Sequence, residues 1–507
     1  MRHATLTLLA CAGLALALGY LLATPYDTRS LMVVGLTLAV MSVPVLLRWH
    51  YWLLLLSWNA SVLVFFLPGR PQMWMLLAAV SLGLSVMAWL LRDNLGEAGR
   101  RVARLQLVPT VAWTLVLLGA VVLATAVARG GIGIRSLGGS TYGGRHYIYI
   151  FAAIVGFFAI SCQAIPPGRA RLAVLLFLIG ALTHPISNLV YLAGPSFYWL
   201  FNLFPVEFAV QQAITESAMS RFNAVTFAMT GIYSWMLAHY GVAGLFDWRR
   251  PWRLVVFTAV VVVSLFGGFR SAVVFAALVF GFQFWLEGLW RTRLMPLIAL
   301  GGAIVCVALV PLAPRLPFPV QRALSFLPIE MSPLAKGDAA ASTDWRLRMW
   351  RVVWADVPKY LWLGKGYSIN PTDLYLVVEA QKRGLAADID QAVTAGDYHS
   401  GPLSVLVPFG VPGVVAFLLF GLASLRVLHR NVQHGDASLR TVNAFLCACF
   451  AAKFVFFWTV FGALASDLAH FCGFVALSIA LNGGVKSRPA QAPAGRALIA
   501  EPVSATA

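Results

Sequence analysis

Charge is scarce in this chain. Of its 507 residues, 11% are Asp, Glu, Lys or Arg and 60% are hydrophobic. A water-soluble protein of this length needs a far larger charged surface, so a soluble globular fold is excluded. Acid is scarcer than base, 19 residues against 37, and the formal net charge is +18. Cysteine is limited to Cys11, Cys162, Cys306, Cys447, Cys449 and Cys472, all in apolar segments and with no CxxC pair. That usage fits small apolar side chains, not a metal centre or a disulfide framework. No cleavable leader is expected either. Met1-Arg2 precedes an apolar stretch from Thr5 to about Leu22, and Pro25-Tyr26-Asp27 is not a small-x-small site. The stretch is therefore expected to remain as a first span.

Long apolar runs are abundant. Phe, Leu, Val and Ala recur in stretches of about 20 residues, the length a helix needs to cross the hydrocarbon core. In lipid the backbone must pair within each segment, so the expected fold is an all-α polytopic membrane protein. Spans are read near 5–23, 30–47, 51–68, 72–90, 107–128, 147–165, 171–190, 223–240, 254–268, 271–288, 294–312, 402–426, 441–460 and 466–482, which gives about 12–14 transmembrane helices. Residues 187–220 are amphipathic and aromatic and suggest an interfacial or re-entrant piece. With the N-terminus in the cytoplasm, the inside connections carry Arg48, Arg92, Arg100, Arg101, Arg104, Arg169, Arg171, Arg249, Arg250, Arg253, Arg291, Arg293, Arg426, Arg430, Arg440, Lys486 and Arg488. Basic inside loops are what the positive-inside rule requires, and they place both termini in the cytoplasm. They also account for the net charge without a nucleic-acid partner. Three regions follow: an N-terminal bundle over 1–220, a core over 221–483, and a disordered cytoplasmic tail over 484–507, rich in Ala, Pro and Arg.

One connection differs from the others. Residues 313–401 fall outside and are hydrophilic, and a structureless loop of that length is unusual unless functional. Trp345, Met349, Trp350 and Trp354 have helical spacing, so the loop is expected to be partly helical. At its far end, Gly396-Asp397 breaks the chain before His399. The topology puts His399 on the same face as Arg221, Arg270, Arg346, Arg348 and Arg351. Charges at a membrane boundary mark function by default, although an arginine at a span end also serves as a headgroup anchor. A guanidinium grips phosphate oxygens through a planar fork and stays charged. A neutral imidazole accepts a proton from a hydroxyl. Together they suit transfer of a glycan from a diphosphate lipid, with Arg221, Arg270, Arg346 and Arg348 on the diphosphate and His399, Arg270 and Arg346 at the reacting centre.

The motifs resemble the O-antigen ligase and Wzy-type polysaccharide polymerase superfamily of bacterial inner membranes. The family pattern is an Arg-Leu-x-x-Trp block, a Pro with a Gly-x-Gly, and a His that opens a span with Gly-x-x-Gly. Here Arg346-Leu347 and Trp350, Pro358 with Gly364-Lys365-Gly366, and His399 with Gly410 and Gly413 stand at those places. Arg270 matches the family's arginine at the outer start of a span, and Arg221 is the best counterpart of an earlier one. Ser400 stands where the family often has Asn, and Phe269 where it has Ser. The resemblance implies a GT-C-like glycosyltransferase that needs no metal or cofactor. It implies an undecaprenyl-diphosphate-linked donor at the periplasmic face, and as acceptor lipid A–core or a growing O-antigen or exopolysaccharide chain. Asp388-Ile389-Asp390 has no supporting histidine or acidic cluster and is not read as a metal site. The main competing reading is a transporter or flippase of lipid-linked oligosaccharide. Such a protein should show internal repeats and broken mid-membrane helices. Pro185 and Asn188 hint at one broken helix, and no repeat is evident.

Overall fold

In a computed structural model of the protein, residues 11–17, 19–20, 28–67, 69–90, 108–131, 144–207, 210, 222–368, 371–384 and 388–486 are described. The helices are α1 (Thr28–Ser57), α2 (Met73–Leu90), α3 (Pro109–Arg129), α4 (Gly144–Ser161), α5 (Ala170–Ile179), α6 (Ile186–Ala193), α7 (Asn223–Leu245), α8 (Trp252–Ser264), α9 (Arg270–Leu286), α10 (Leu294–Leu312), α11 (Phe318–Ala323), α12 (Pro333–Asp356), α13 (Pro371–Lys382), α14 (Asp388–Ala395), α15 (Gly401–His434), α16 (Arg440–Thr459) and α17 (Leu464–Asn482). Among the described residues there is no strand, and Leu63 and Gln72 form an isolated antiparallel bridge.

Eight helical runs among the described residues are long and apolar enough to cross a membrane, or nine if the bent pair Met32–Val43 and Val45–Ser57 is one span. Two shorter apolar helices, Trp252–Gly267 and Arg270–Leu286, sit where two full spans are expected from sequence. The all-α polytopic expectation holds, with adjusted boundaries. The expected span 51–68 is helical only to Ser57, because Val64 and Met73 pair with Pro71 and Val62 across a turn. That segment is apolar because Ala60, Leu63 and Val64 are buried in the protein. Hydropathy alone does not separate a buried loop from a lipid-facing helix. The expected first span and the C-terminal tail beyond 486 lie outside the described residues, apart from 11–17 and 19–20.

The centre of the bundle is α17, in which every residue but Ser466 and His470 is buried. It packs along α4, while α3 packs along α15 and α9 along α16. Phe417, Phe420, Phe450, Phe457 and Phe471 are fully buried and meet edge-on or tilted, the arrangement aromatic quadrupoles prefer. At one end of this trio of helices Asn443 and Asn482 exchange amide hydrogen bonds of 3.0 and 2.8 Å, and Asn431 donates to Ser478 at 3.1 Å. Such amide pairs fix the register of neighbouring membrane helices. By contrast, no residue of α10 is buried. A helix that is apolar all round and so little covered by the described residues suits lipid as its neighbour.

The 313–401 insert is helical, as expected, with α11 to α14 inside it. It is locked onto the bundle at a break in α15. Gly410 has φ +64°, and Pro408 and Pro412 flank it. Pro412 has no N–H to give the Pro408 carbonyl, and the turn at Gly410 withdraws the Val411 N–H from the Val407 carbonyl. The insert supplies what is lost. Gly366 N–H donates to Pro408 O at 3.0 Å, Lys365 N–H to Val407 O at 2.8 Å, and Val411 N–H donates to Leu361 O at 2.7 Å. A Cβ on Gly364 would overlap the Pro408 carbonyl, and one on Gly410 would stand 2.6 Å from Leu361 O. The Gly-x-Gly of the insert and the glycine of the span are therefore two halves of one contact. Arg129 and Thr125 of α3 hold the same strip through Gly364 O (2.9 Å) and Leu363 O (3.1 Å).

Candidate active site

His399 follows the insert and precedes α15. Its φ is +47°, a left-handed conformation that costs a non-glycine residue about 1–2 kcal/mol. The neighbours hold it there. The Trp350 indole donates to Tyr398 O at 2.8 Å, Asp397 N–H donates to Ala392 O at 3.0 Å, and the Tyr398 side chain is buried between α12 and α15. The imidazole lies edge-on to Trp345 at 5.4 Å and tilted against Phe461 at 5.5 Å. Its Nδ1 is buried and has no hydrogen-bond partner. Its Nε2 stands 3.6 Å from Asp397 Oδ2, beyond hydrogen-bond reach but close enough to feel the charge. Burial pushes the imidazole pKa below the ordinary 6.5; Asp397 opposes that shift and Arg346 adds to it. The ring is thus neutral at neutral pH.

Arg346 stands beside it and belongs to a cluster of guanidinium groups drawn from three elements. Arg270 opens α9 and donates from one terminal nitrogen to Ala339 O (2.9 Å) and Thr343 Oγ1 (3.0 Å) of α12. Arg322 of α11 is buried, donates to Gly268 O at 2.6 Å and pairs with Asp338. Arg346 of α12 has its Cζ 5.5 Å from the centre of the Phe461 ring. Burial first, then the charges of Arg270 and Arg322, push the Arg346 pKa down from its usual value. The three cations therefore repel one another. Among the described residues neither Arg270 nor Arg346 pairs with a carboxylate. A cluster with three guanidiniums and one paired acid is short of negative charge, which a phosphate oxygen would supply.

His399, Arg270 and Arg346, widely separated in sequence, are thus brought to one end of the bundle. Arg348 is not: it is exposed. Two residues along a helix is a rotation of about 200°, so Arg346 and Arg348 face opposite ways from α12. Arg351 is exposed as well. Arg221 lies outside the described residues. Arg322 was not foreseen. It belongs to no motif, and its place depends on a contact with an acid 16 residues away and a carbonyl before Arg270. Its only sequence signal is a basic residue in an insert beside an apolar helix. Among the described residues no group of three or more His, Cys, Asp or Glu converges as a metal ion would require.

The family model for O-antigen ligase matches residues 255–418, from α8 into the first half of α15. Arg270, Arg322, Arg346, His399 and both halves of the glycine contact lie inside that stretch. The resemblance to the O-antigen ligase and Wzy superfamily is thereby borne out. With the apolar helices, the match supports glycan transfer or ligation in O-antigen biosynthesis by a multi-pass membrane protein. No curated protein matches the chain.

Proposed function

We propose that the chain transfers a glycan from an undecaprenyl-diphosphate-linked donor to an acceptor hydroxyl at the periplasmic face of the bacterial inner membrane. The observation that carries this reading is the juxtaposition of a neutral imidazole, 31% exposed, with Arg346, a guanidinium that pairs with no carboxylate among the described residues. Arg270 and Arg346 bind the diphosphate oxygens. His399 takes the proton of the acceptor hydroxyl as its oxygen attacks the anomeric carbon. The bond from that carbon to the diphosphate oxygen breaks, and the arginines offset the charge that develops on the departing diphosphate. The reading is metal-independent, since the guanidiniums take the electrostatic role. Arg322 acts one step back: its bonds to Gly268 O and Asp338 hold the turn before Arg270 against α12.

The acceptor is lipid A–core if the enzyme is a ligase, or the end of a growing O-antigen or exopolysaccharide chain if it is a polymerase. His399→Ala is expected to abolish transfer while the protein still inserts in the membrane. Wild-type levels of product from that variant, in a reconstituted assay, would sink the reading. Deletion of the gene followed by analysis of surface glycan separates the two acceptors. Single repeats left on the core indicate a polymerase, and full-length polymer left on the carrier lipid indicates a ligase.

A further inference from the structure

The turn 460–463, between α16 and α17, lies outside the stretch matched to the family. Phe461 in that turn touches two groups of the site at once. Its ring centre is 5.5 Å from the His399 ring, tilted by 41°, and 5.5 Å from Arg346 Cζ. The turn itself is tightly fixed. Leu464 N–H donates to Ser404 Oγ at 3.0 Å, which ties it to the start of α15. A Cβ on Gly462 would come 3.0 Å from Gly401 Cα, and one on Gly401 would overlap the Phe457 carbonyl. Asp467 accepts from Ala463 N–H at 3.0 Å through one carboxylate oxygen and pairs with Lys453 Nζ at 2.7 Å through the other. The side chains of both ions are largely buried, 14% and 9% exposed. An ion pair sequestered in a membrane bundle is costly by itself, and this one ties α16, α17 and the turn together at one carboxylate.

We propose that Phe461 is a positioning residue for the transfer reaction: one aromatic platform that sets the His399 imidazole and the Arg346 guanidinium side by side, kept in place by the Lys453–Asp467 pair. The inference rests on the glycan-transfer reading and deepens it. An aromatic face attracts a guanidinium without occupying its N–H donors, so the fork of Arg346 stays free for diphosphate oxygens. A carboxylate in the same place would take that fork. The same ring covers part of the imidazole, whose side chain is 31% exposed. The charged groups that face that imidazole are Asp397 from its own segment and Arg346 from α12. On the α16–α17 side, Lys453 and Asp467 neutralise each other.

The test uses the full-length protein with an undecaprenyl-diphosphate-linked glycan as donor, and with lipid A–core and a second lipid-linked glycan each offered as acceptor. Phe461→Leu is expected to lower kcat about 10- to 100-fold, the scale of a small misplacement of reacting groups. It should also move the acidic limb of the kcat/KM profile upward, towards the ordinary histidine value, as water reaches His399. Phe461→Tyr keeps the platform and should keep both properties near wild type. If the Leu variant does not fold, Phe461→Met, unbranched and more adaptable but also without a ring, is read in its place. An unmoved limb, whether or not kcat falls, overturns the platform and leaves Phe461 as packing. A Tyr variant as impaired as the Leu variant overturns it too. Wild-type protein that transfers nothing, or His399→Ala protein that still transfers, instead overturns the catalytic reading on which the platform depends.

Discussion

At the scale of the residue, the site depends on keeping one ring neutral and several cations unpaired. Arg270 uses one terminal nitrogen for Ala339 O and Thr343 Oγ1, and the rest of its fork is uncommitted. Arg270→Lys keeps a positive charge but removes the planar fork. The expected outcome is weaker donor binding, by about tenfold or roughly 1.4 kcal/mol, with the protein still folded. Donor titration checks it, and unchanged affinity would remove Arg270 from the diphosphate site. The pH dependence follows from the surroundings of His399. A base works when unprotonated, so activity rises with pH through its pKa, and the acidic limb should lie below the ordinary 6.5. Asp397 stabilises the protonated ring, so Asp397→Asn should shift the limb further down. A pH–rate profile that moves up instead would mean that Asp397 acts on another group.

At the scale of the element, the insert and α15 complete each other's backbone hydrogen bonds. Gly364 and Gly410 both have positive φ, and at both a Cβ would run into backbone. Gly364→Ala therefore meets strain and overlap together, with a cost of at least about 2 kcal/mol. A lowered thermal midpoint in detergent, with His399-dependent transfer reduced in parallel, is the expected result. An unchanged midpoint would show that the strip 361–367 is not held as described. This scale also marks what could be read from sequence. Trp345, Met349 and Trp350 predicted a helix in the insert because burial of one face imposes a helical period. The glycines were legible as a pattern, but not as partners, since pairing between 364 and 408 depends on how two proline-flanked segments meet. Arg348 looked equivalent to Arg346 in a list of outer cations, and only helical rotation separates them. Arg322 and Phe461 owe their places to tertiary contacts with no local period, so nothing in the sequence marked them.

At the scale of the whole molecule, burial is divided unevenly. α17 is enclosed almost completely, whereas α10 has no buried residue. Replacing the apolar residues of α10 by a shuffled order of the same residues should leave transfer intact, because lipid accepts any apolar surface. The same shuffle in α17 should prevent folding, because its side chains fit a packed core. Transfer assays and membrane yield of the two variants check this, and loss of activity from the α10 shuffle would mean that the helix has a partner. The asymmetry explains why hydropathy alone gave a sound fold class but uneven span boundaries: 58–67 and 294–312 are both apolar, yet the first is largely buried in the protein and the second has no buried residue.

The position of α10 in the chain gives that exposure a mechanical meaning. It leads directly into α11 and α12, which carry Arg322 and Arg346, while Arg270 and His399 sit at the ends of helices packed in the bundle. The insert is thus moored at one side to the packed bundle and at the other to a helix that touches protein mainly near its ends and has no buried residue. A 19-residue helix is about 28 Å long, near the thickness of the hydrocarbon layer itself. A change of bilayer thickness would therefore act first on the tilt of α10, and it would reach Arg322 and Arg346 only against the bonds that tie α11 to Gly268 and α12 to Tyr398.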